Sequence, residues 1–97
     1  MEPKVYIDGA LYPKSEAKVS VYDHGLLYGD GVFEGIRVYS GRIFRFKEHM
    51  DRFCESARSI GLELPLDRAG VEKAVIDTVR ENGLHDAYIR QIGRAHV

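Results

Sequence analysis

The sequence predicts an α+β fold in which a small antiparallel sheet carries two packed helices. Short strand-like runs are separated by turn dipeptides, Asp8-Gly9 and Ser40-Gly41, of the kind found in β-hairpins. Two later segments instead repeat apolar residues every three or four positions, as amphipathic helices do. The length of 97 residues suits one small domain.

Composition and charge disfavour several classes of partner. Lys and Arg number 14 and Asp and Glu 15, so the net charge of −1 gives no electrostatic footprint for nucleic acid or an anionic membrane. No apolar run approaches the roughly 20 residues of a membrane span, and the amino terminus lacks the apolar core of a secretory signal. We therefore expect a cytoplasmic protein. Cys54 is expected to be a small buried hydrophobic residue, and no Cys/His cluster has metal-ligand spacing.

The first segment predicts a hairpin. Residues 4–7 and 10–13 have strand character, and Asp8-Gly9 between them suits a type I′ turn. Residues 15–21 are expected to connect this hairpin to the rest of the chain. We expect this N-terminal hairpin to have a structural role only.

The stretch 22–37 is unusually dense in glycine, aromatic and charged residues. Its glycines are Gly25, Gly29, Gly31 and Gly35. They allow positive φ angles or the close approach of another group, which neither a regular helix nor a plain strand requires. Taken alone, a Gly-rich turn that enters a strand is more often structural than functional.

Residues 32–39 have strand character, and a period of two gives them two different faces. One face carries Phe33, Arg37 and Tyr39 with Gly35 between them, and the other carries Val32, Ile36 and Val38. Gly35 leaves a gap with room for a flat ligand, and a guanidinium binds a carboxylate through paired hydrogen bonds. The first face is a candidate binding surface, whereas the apolar face is expected to pack.

Residues 42–46 are expected to return as the partner strand, so that this hairpin forms the core of the sheet. A helix is predicted over residues 47–60, with Gly61 ending it in a left-handed conformation. The apolar stripe of this helix is Phe46, Met50, Phe53, Ala57 and Ile60. The neighbouring flank carries Arg45, His49, Arg52 and Ser56, which spacing alone indicates to be a solvated face.

A second helix is predicted over residues 68–82, with Asp67 as its N-cap and Gly83 as its end. Its apolar positions are Val71, Ala74, Val75 and Val79. Its polar face carries charged residues and is expected to be solvated.

A further strand is predicted over residues 87–90, with Tyr88 and Arg90 on one face and Ile89 on the other. An aromatic side chain and a guanidinium therefore recur together, as they do in the strand 32–39. This repetition marks a second candidate contribution to a binding surface.

The run from His24 to Arg37 resembles the signature near the start of the class IV (fold type IV) pyridoxal-phosphate enzymes. Its ending, Phe33-Glu34-Gly35-Ile36-Arg37, is similar to branched-chain amino acid aminotransferases in particular. The segment from Glu48 to Arg52 resembles the family's stretch whose arginine binds the phosphate of the cofactor. The resemblance covers about residues 6–90 and implies the small N-terminal domain of such an enzyme.

The resemblance implies a role for several residues. Arg52 matches the ligand of the pyridoxal 5'-phosphate phosphate group, a role that suits a permanently charged forked donor. The implied substrate-binding residues are Tyr28, Phe33, Arg37, Tyr88 and Arg90. Glu34 lies in the same motif, but alternation along the strand turns it away from Phe33.

For the full-length parent, the resemblance implies reversible transfer of an amino group between branched-chain amino acids (Leu, Ile, Val) and 2-oxoglutarate. The parent is then expected to be a homodimer or a larger homo-oligomer. No lysine of this chain occupies a position like that of the family's Schiff-base lysine, and the large cofactor-binding domain is absent, so the chain supplies no catalytic residue. By itself, it is expected to be inactive.

The tail 91–97 matches neither a strand nor the family pattern. We hypothesise that it is not part of the biological sequence, because a widely used sequencing adapter read in one frame encodes Ile-Gly-Arg-Ala-His-Val, the residues 92–97. The domain is accordingly expected to comprise residues 1–90. Finding the same codons in an independent clone of the locus would contradict this hypothesis.

Two alternatives remain open at this point. A D-amino acid aminotransferase or an aminodeoxychorismate lyase of the same fold would share the Gly-rich stretch but differ in the pocket segments 33–37 and 88–90. A non-catalytic module that mediates dimerisation is the other, and a natural stop codon directly after Val97 would favour it.

Overall fold

The computed structural model describes residues 2–23, 29 and 31–94, and its elements confirm an α+β fold. In chain order they are β1 (Lys4–Ile7), β2 (Ala10–Pro13), β3 (Gly31–Tyr39), β4 (Arg42–Ile43), α1 (Phe46–Ser59), α2 (Arg68–Asn82) and β5 (Ala87–Arg94). The strands form two antiparallel sheets, where the sequence predicted one. β1 pairs with β2, and β3 lies between β4 and β5 in a separate three-stranded sheet.

The first hairpin has the predicted bounds and turn. Asp8 and Gly9 have φ angles of 48° and 97°, the two successive positive values that a type I′ turn requires. A short 3-10 turn, Lys14–Glu16, overlaps the start of the segment 15–21 that was predicted to be a connector.

The two faces of β3 differ as the period of two predicts. Glu34, Ile36 and Val38 are buried, whereas Phe33 and Arg37 are exposed. Alternate side chains of a strand point to opposite faces of the sheet, so only the first set faces the interior.

The core lies between this buried face and α1. Ile36 and Val38 are almost completely buried, and so are Met50, Phe53 and Ala57 of α1. The packing of a helix on one face leaves the opposite face of the three-stranded sheet open among the described residues. Phe33 and Tyr88 on that face are accordingly 62% and 56% exposed.

The predicted partner strand over residues 42–46 is wrong in length, because β4 contains only Arg42 and Ile43. Arg45 has a φ angle of 50°, a left-handed conformation that cannot continue a strand, and α1 begins at Phe46. The pairing of β3 with β4 is consequently short, and β5 is the main partner of β3.

The helix α1 lies one residue earlier than predicted, at Phe46–Ser59 instead of 47–60, so the last residue of the predicted apolar stripe falls outside it. Gly61 has a φ angle of 69° and turns the chain away from the helix. Ile60 lies beyond the last helical turn and is 54% exposed. Cys54 was predicted to be a small buried hydrophobic residue, and the structure shows it half-buried.

The helix α2 has the predicted bounds and caps. The Asp67 carboxylate accepts a hydrogen bond from the Gly70 N–H at 2.8 Å, and Gly83 has a φ angle of 62°. The Lys4 N–H donates to Asn82 Oδ1 at 2.8 Å, and Asn82 Nδ2 donates to the Lys4 carbonyl at 3.1 Å. The helix therefore packs against β1, and also against α1, instead of sharing one sheet with α1.

The strand predicted over residues 87–90 continues to Arg94, so the expectation that the tail fits no strand is wrong for residues 91–94. Arg94 donates to Asp8 Oδ2 at 2.9 Å and also pairs with Asp23. Both polar atoms of the Gln91 side chain are buried without a hydrogen-bond partner among the described residues. The non-native origin of the tail stays a prediction.

None of the helices in the described ranges is long and apolar enough to cross a membrane. Among the same residues, no group of three or more His, Cys, Asp and Glu side chains is arranged to hold a metal ion.

Candidate functional site

The open face of the three-stranded sheet brings together the predicted residues of two strands. In the register of β3 and β5, Gly35 lies opposite Arg90 and Arg37 lies opposite Tyr88. Directly opposed residues of antiparallel strands point to the same face. Phe33, Arg37, Tyr88 and Arg90 therefore form one continuous surface, which we call the mixed face.

Each arginine of the mixed face lies over an aromatic ring. Arg37 Cζ is 5.1 Å from the centroid of the Tyr88 ring, and Arg90 Cζ is 5.0 Å from that of Phe33. These are cation–π distances, and this contact leaves the N–H groups at the rim of a guanidinium able to donate to a carboxylate. The mixed face thus presents flat apolar surface and fixed positive charge side by side.

Gly35 is required by the position of Tyr88. A Cβ atom at Gly35 would overlap the Tyr88 hydroxyl oxygen and lie 2.9 Å from Tyr88 Cζ. The sequence predicted that the gap at Gly35 leaves room for a flat ligand. The structure instead places the Tyr88 side chain in that gap, so Gly35 shapes the mixed face through Tyr88.

A second polar cluster lies on the opposite face of β3, where Glu34 meets α1. The Glu34 carboxylate is 5% exposed and accepts a hydrogen bond from His49 Nδ1 at 2.7 Å. It also accepts from Arg52 Nε at 2.9 and 3.2 Å and from Arg52 Nη2 at 2.8 Å. His49 and Arg52 lie three positions apart on α1, so both side chains reach the same carboxylate. We call these residues the Glu34 cluster.

The interaction between Glu34 and Arg52 favours the charged forms of both side chains. The hydrogen bonds from Arg52 lower the pKa of Glu34, burial of the carboxylate opposes this effect, and the bond from His49 lowers the pKa further. The same interaction raises the pKa of Arg52, which stays charged at any ordinary pH. Glu34 is therefore an anion in the folded protein.

Acid is expected to remove the stabilisation that Glu34 supplies. Because the pKa of Glu34 is lower in the folded than in the unfolded chain, its contribution is complete above the unfolded value of about 4.5 and is lost as the pH falls through the folded value. Urea unfolding of the chain and of Glu34→Gln should differ most at about pH 6 and least near about pH 3. A difference in unfolding free energy that does not change with pH would contradict this expectation.

Most of the predicted site residues come together, but not all of them. Phe33, Arg37, Tyr88 and Arg90 share the mixed face. Arg52 is joined to Glu34 on the other side of the sheet, and none of its described contacts reaches the mixed face. Tyr28 lies outside the described residues.

The partnership of Glu34 with His49 and Arg52 was missed in the sequence. Alternation placed Glu34 on the buried face, as the structure has it, and helical spacing placed His49 and Arg52 on one flank of α1. A lone acidic residue among the apolar residues of a buried strand face needs a charged partner. The presence of Glu34 on a buried strand face was therefore the feature of the sequence from which a charged partner could have been predicted.

The sequence model for class IV amino-transferases matches residues 31–94. A Methanocaldococcus jannaschii protein assigned as a branched-chain-amino-acid aminotransferase is 52% identical over 89 residues, which are 92% of this chain and 31% of that protein. The D-alanine aminotransferase of Staphylococcus aureus strain N315 is 49% identical over 61 residues, which are 63% of this chain and 22% of that protein.

Solved structures of branched-chain aminotransferases also superimpose on this chain. The branched-chain aminotransferase of Thermoproteus uzoniensis, in complex with norvaline, superimposes with a TM-score of 0.85 at 45% identity, over 95% of this chain and 33% of that one. The T.th. branched-chain amino acid aminotransferase, complexed with N-(5'-phosphopyridoxyl)-L-glutamate, gives 0.86 at 42% identity, over 95% and 32%. The chain spans about a third of the length of these proteins.

Proposed function

Because this chain belongs to the class IV aminotransferase family, we propose that the full-length protein is a branched-chain amino acid aminotransferase. Its reaction would be the transfer of an amino group between leucine, isoleucine or valine and 2-oxoglutarate with pyridoxal 5'-phosphate. The present chain would be the N-terminal part of that enzyme.

The mixed face is the observation that carries this proposal. Branched aliphatic side chains need apolar walls, and Phe33 and Tyr88 supply them. Glutamate and 2-oxoglutarate bring a second carboxylate, for which the guanidinium groups of Arg37 and Arg90 are suitable partners. One surface with both properties suits an enzyme that must accept both kinds of substrate in turn.

Arg52 suits the cofactor's phosphate. Its side chain is 67% exposed, although the carboxylate that it contacts is buried. The Glu34 carboxylate accepts hydrogen bonds from the edge of the guanidinium formed by Nε and Nη2. Among the described residues, no bond is made by Nη1, so the other edge is able to receive a phosphate oxygen.

The residues of this chain would bind and orient the cofactor and the substrate. When bound, pyridoxal 5'-phosphate supplies the electron sink for the reacting α-carbon. Arg52, on one side of the sheet, would hold its phosphate, and Phe33 and Tyr88, on the other side, would contact the substrate side chain. Proton transfer at the α-carbon would fall to residues of the full-length enzyme that lie outside this chain.

Replacement of Arg90 by glutamine tests the role of the mixed face. In the full-length enzyme, Arg90→Gln should lower kcat/KM for glutamate by roughly ten- to a hundredfold, the effect of losing one charge-assisted hydrogen bond. The value for leucine should fall by less than about threefold, because its side chain needs no cation. The two half-reactions are measured separately with single amino donors.

Arg58→Gln is the matched control, since Arg58 is an exposed arginine of α1 in the last turn of that helix. It should leave both values unchanged. Equal losses for glutamate and leucine in Arg90→Gln would count against the assignment of Arg90. Absence of any amino transfer from L-leucine to 2-oxoglutarate in the unmodified enzyme would refute the proposed function itself.

A D-amino acid aminotransferase is the second candidate, because a D-alanine aminotransferase shares 49% of 61 residues with this chain. The two activities differ in the hand of the amino donor. Transfer from D-alanine without transfer from L-leucine would select this candidate.

We further propose that the full-length enzyme is a cytoplasmic homodimer or larger homo-oligomer. The support is the resemblance of the Gly-rich stretch to enzymes of that kind. A molar mass from light scattering that equals one chain would refute the oligomeric part, and recovery of the protein in a membrane or secreted fraction would refute the location.

A further inference from the structure

The guanidinium of Arg52 is held in one orientation by a buried carboxylate. Its side chain is largely exposed, and an exposed arginine ordinarily samples many rotamers. Here Nε and Nη2 both donate to Glu34, at 2.8 to 3.2 Å, in the paired geometry that fixes the plane of a guanidinium. Glu34 is in turn fixed by burial within β3 and by the bond from His49.

From this geometry we infer that Glu34 is a positioning residue for phosphate binding, which turns the remaining edge of the Arg52 guanidinium toward the cofactor phosphate. The inference rests on the proposed function, in which Arg52 binds that phosphate. Glu34 touches neither cofactor nor substrate in this scheme. It acts through Arg52, and His49 supports it from the same helix.

The chemistry of the cluster agrees with this division of work. A buried carboxylate needs compensation by a cation, and a single fork of Arg52 provides it. The hydrogen bonds to Glu34 use only the Nε and Nη2 edge of the guanidinium, so Arg52 keeps N–H donors for a second anion. A guanidinium whose orientation is already set loses less conformational entropy when the phosphate binds.

Another ion pair of α1 offers a comparison. Arg45 and Glu48 form a pair of 3.6 Å in which both side chains are more than half exposed. A pair of this kind fixes neither partner. Glu48→Gln therefore removes a carboxylate from the same helix without releasing a buried cluster.

The test measures two dissociation constants for the full-length enzyme, one for pyridoxal 5'-phosphate and one for pyridoxal, which lacks the phosphate. Their ratio reports the contribution of the phosphate, and a general loosening of the fold would weaken both ligands alike. Glu34→Gln should reduce the preference for pyridoxal 5'-phosphate about tenfold, as the loss of an oriented charge-assisted contact does. Arg52→Ala should reduce it by about a hundredfold. Glu48→Gln should leave it unchanged.

The outcomes separate the inference from the proposed function. A reduced preference in Arg52→Ala with an unchanged preference in Glu34→Gln overturns the inference and leaves the role of Arg52 intact. An unchanged preference in Arg52→Ala overturns both. Should Glu34→Gln fail to fold, Glu34→Asp decides the matter, because it keeps the charge but withdraws the carboxylate by one methylene. An intermediate loss supports the inference, and an unchanged ratio refutes it.

Discussion

Replacing Gly35 by alanine is expected to displace the Tyr88 side chain and to impair substrate binding while the fold survives. The added Cβ would overlap the Tyr88 hydroxyl and lie 2.9 Å from Cζ, so one of the two groups must move. Tyr88 is 56% exposed, and its ring can rotate outward at little cost. The chain stability should change by less than about 1 kcal/mol, because alanine is otherwise the better strand residue. The KM for leucine in the full-length enzyme should rise about tenfold, since one apolar wall is lost.

A second substitution identifies the cause. Tyr88→Phe removes the hydroxyl, the group that the new Cβ would strike first, and leaves the ring. The double variant Gly35→Ala/Tyr88→Phe should recover part of the leucine affinity, because the hydroxyl overlap is gone while the contact of 2.9 Å with Cζ stays. A double-mutant cycle measures this non-additivity. Additive losses in the double variant would contradict the contact between these residues as the cause.

The mixed face was predictable from the sequence because it depends on short-range rules. Alternation places Phe33 and Arg37 on one face of β3 and Tyr88 and Arg90 on one face of β5, and the apolar residues between them mark the faces that pack. The occupation of the Gly35 gap by Tyr88 was not predictable in this way. It depends on the register between two strands that are distant in the chain, which no local pattern specifies.

The fold was predicted best where a cap or a turn marks an end. Asp67 and Gly83 set both ends of α2, and Asp8 with Gly9 sets the first hairpin. The prediction was wrong at β4, where the residues Ile43, Phe44 and Phe46 suit a strand equally well. There, the left-handed conformation of Arg45 ends the strand, and arginine carries no signal for it. The division into two sheets is likewise a property of tertiary packing.

Replacing Phe53 by alanine is expected to produce the largest loss of stability in this chain. Phe53 is 2% exposed and lies beneath the β3–β5 pair, where its Cζ would be 2.9 Å from a Cβ atom on Gly93. Truncation of a buried phenylalanine costs about 3 to 5 kcal/mol, which approaches the whole stability of a small domain at roughly 5 kcal/mol. Urea unfolding followed by circular dichroism should show the midpoint moving close to zero denaturant.

Ile60→Ala is the matched control, because the sequence places both residues on one apolar stripe and the structure separates them. Ile60 follows the end of α1 and is 54% exposed, so little apolar area is lost when it is shortened. Its unfolding free energy should change by less than about 0.5 kcal/mol. Equal costs for the two variants would mean that the helix extends past Ser59 and buries Ile60, as the three- and four-residue spacing alone predicts. A large loss of unfolding free energy in Phe53→Ala alone would show that the buried core ends before Gly61, where the chain turns away from the helix.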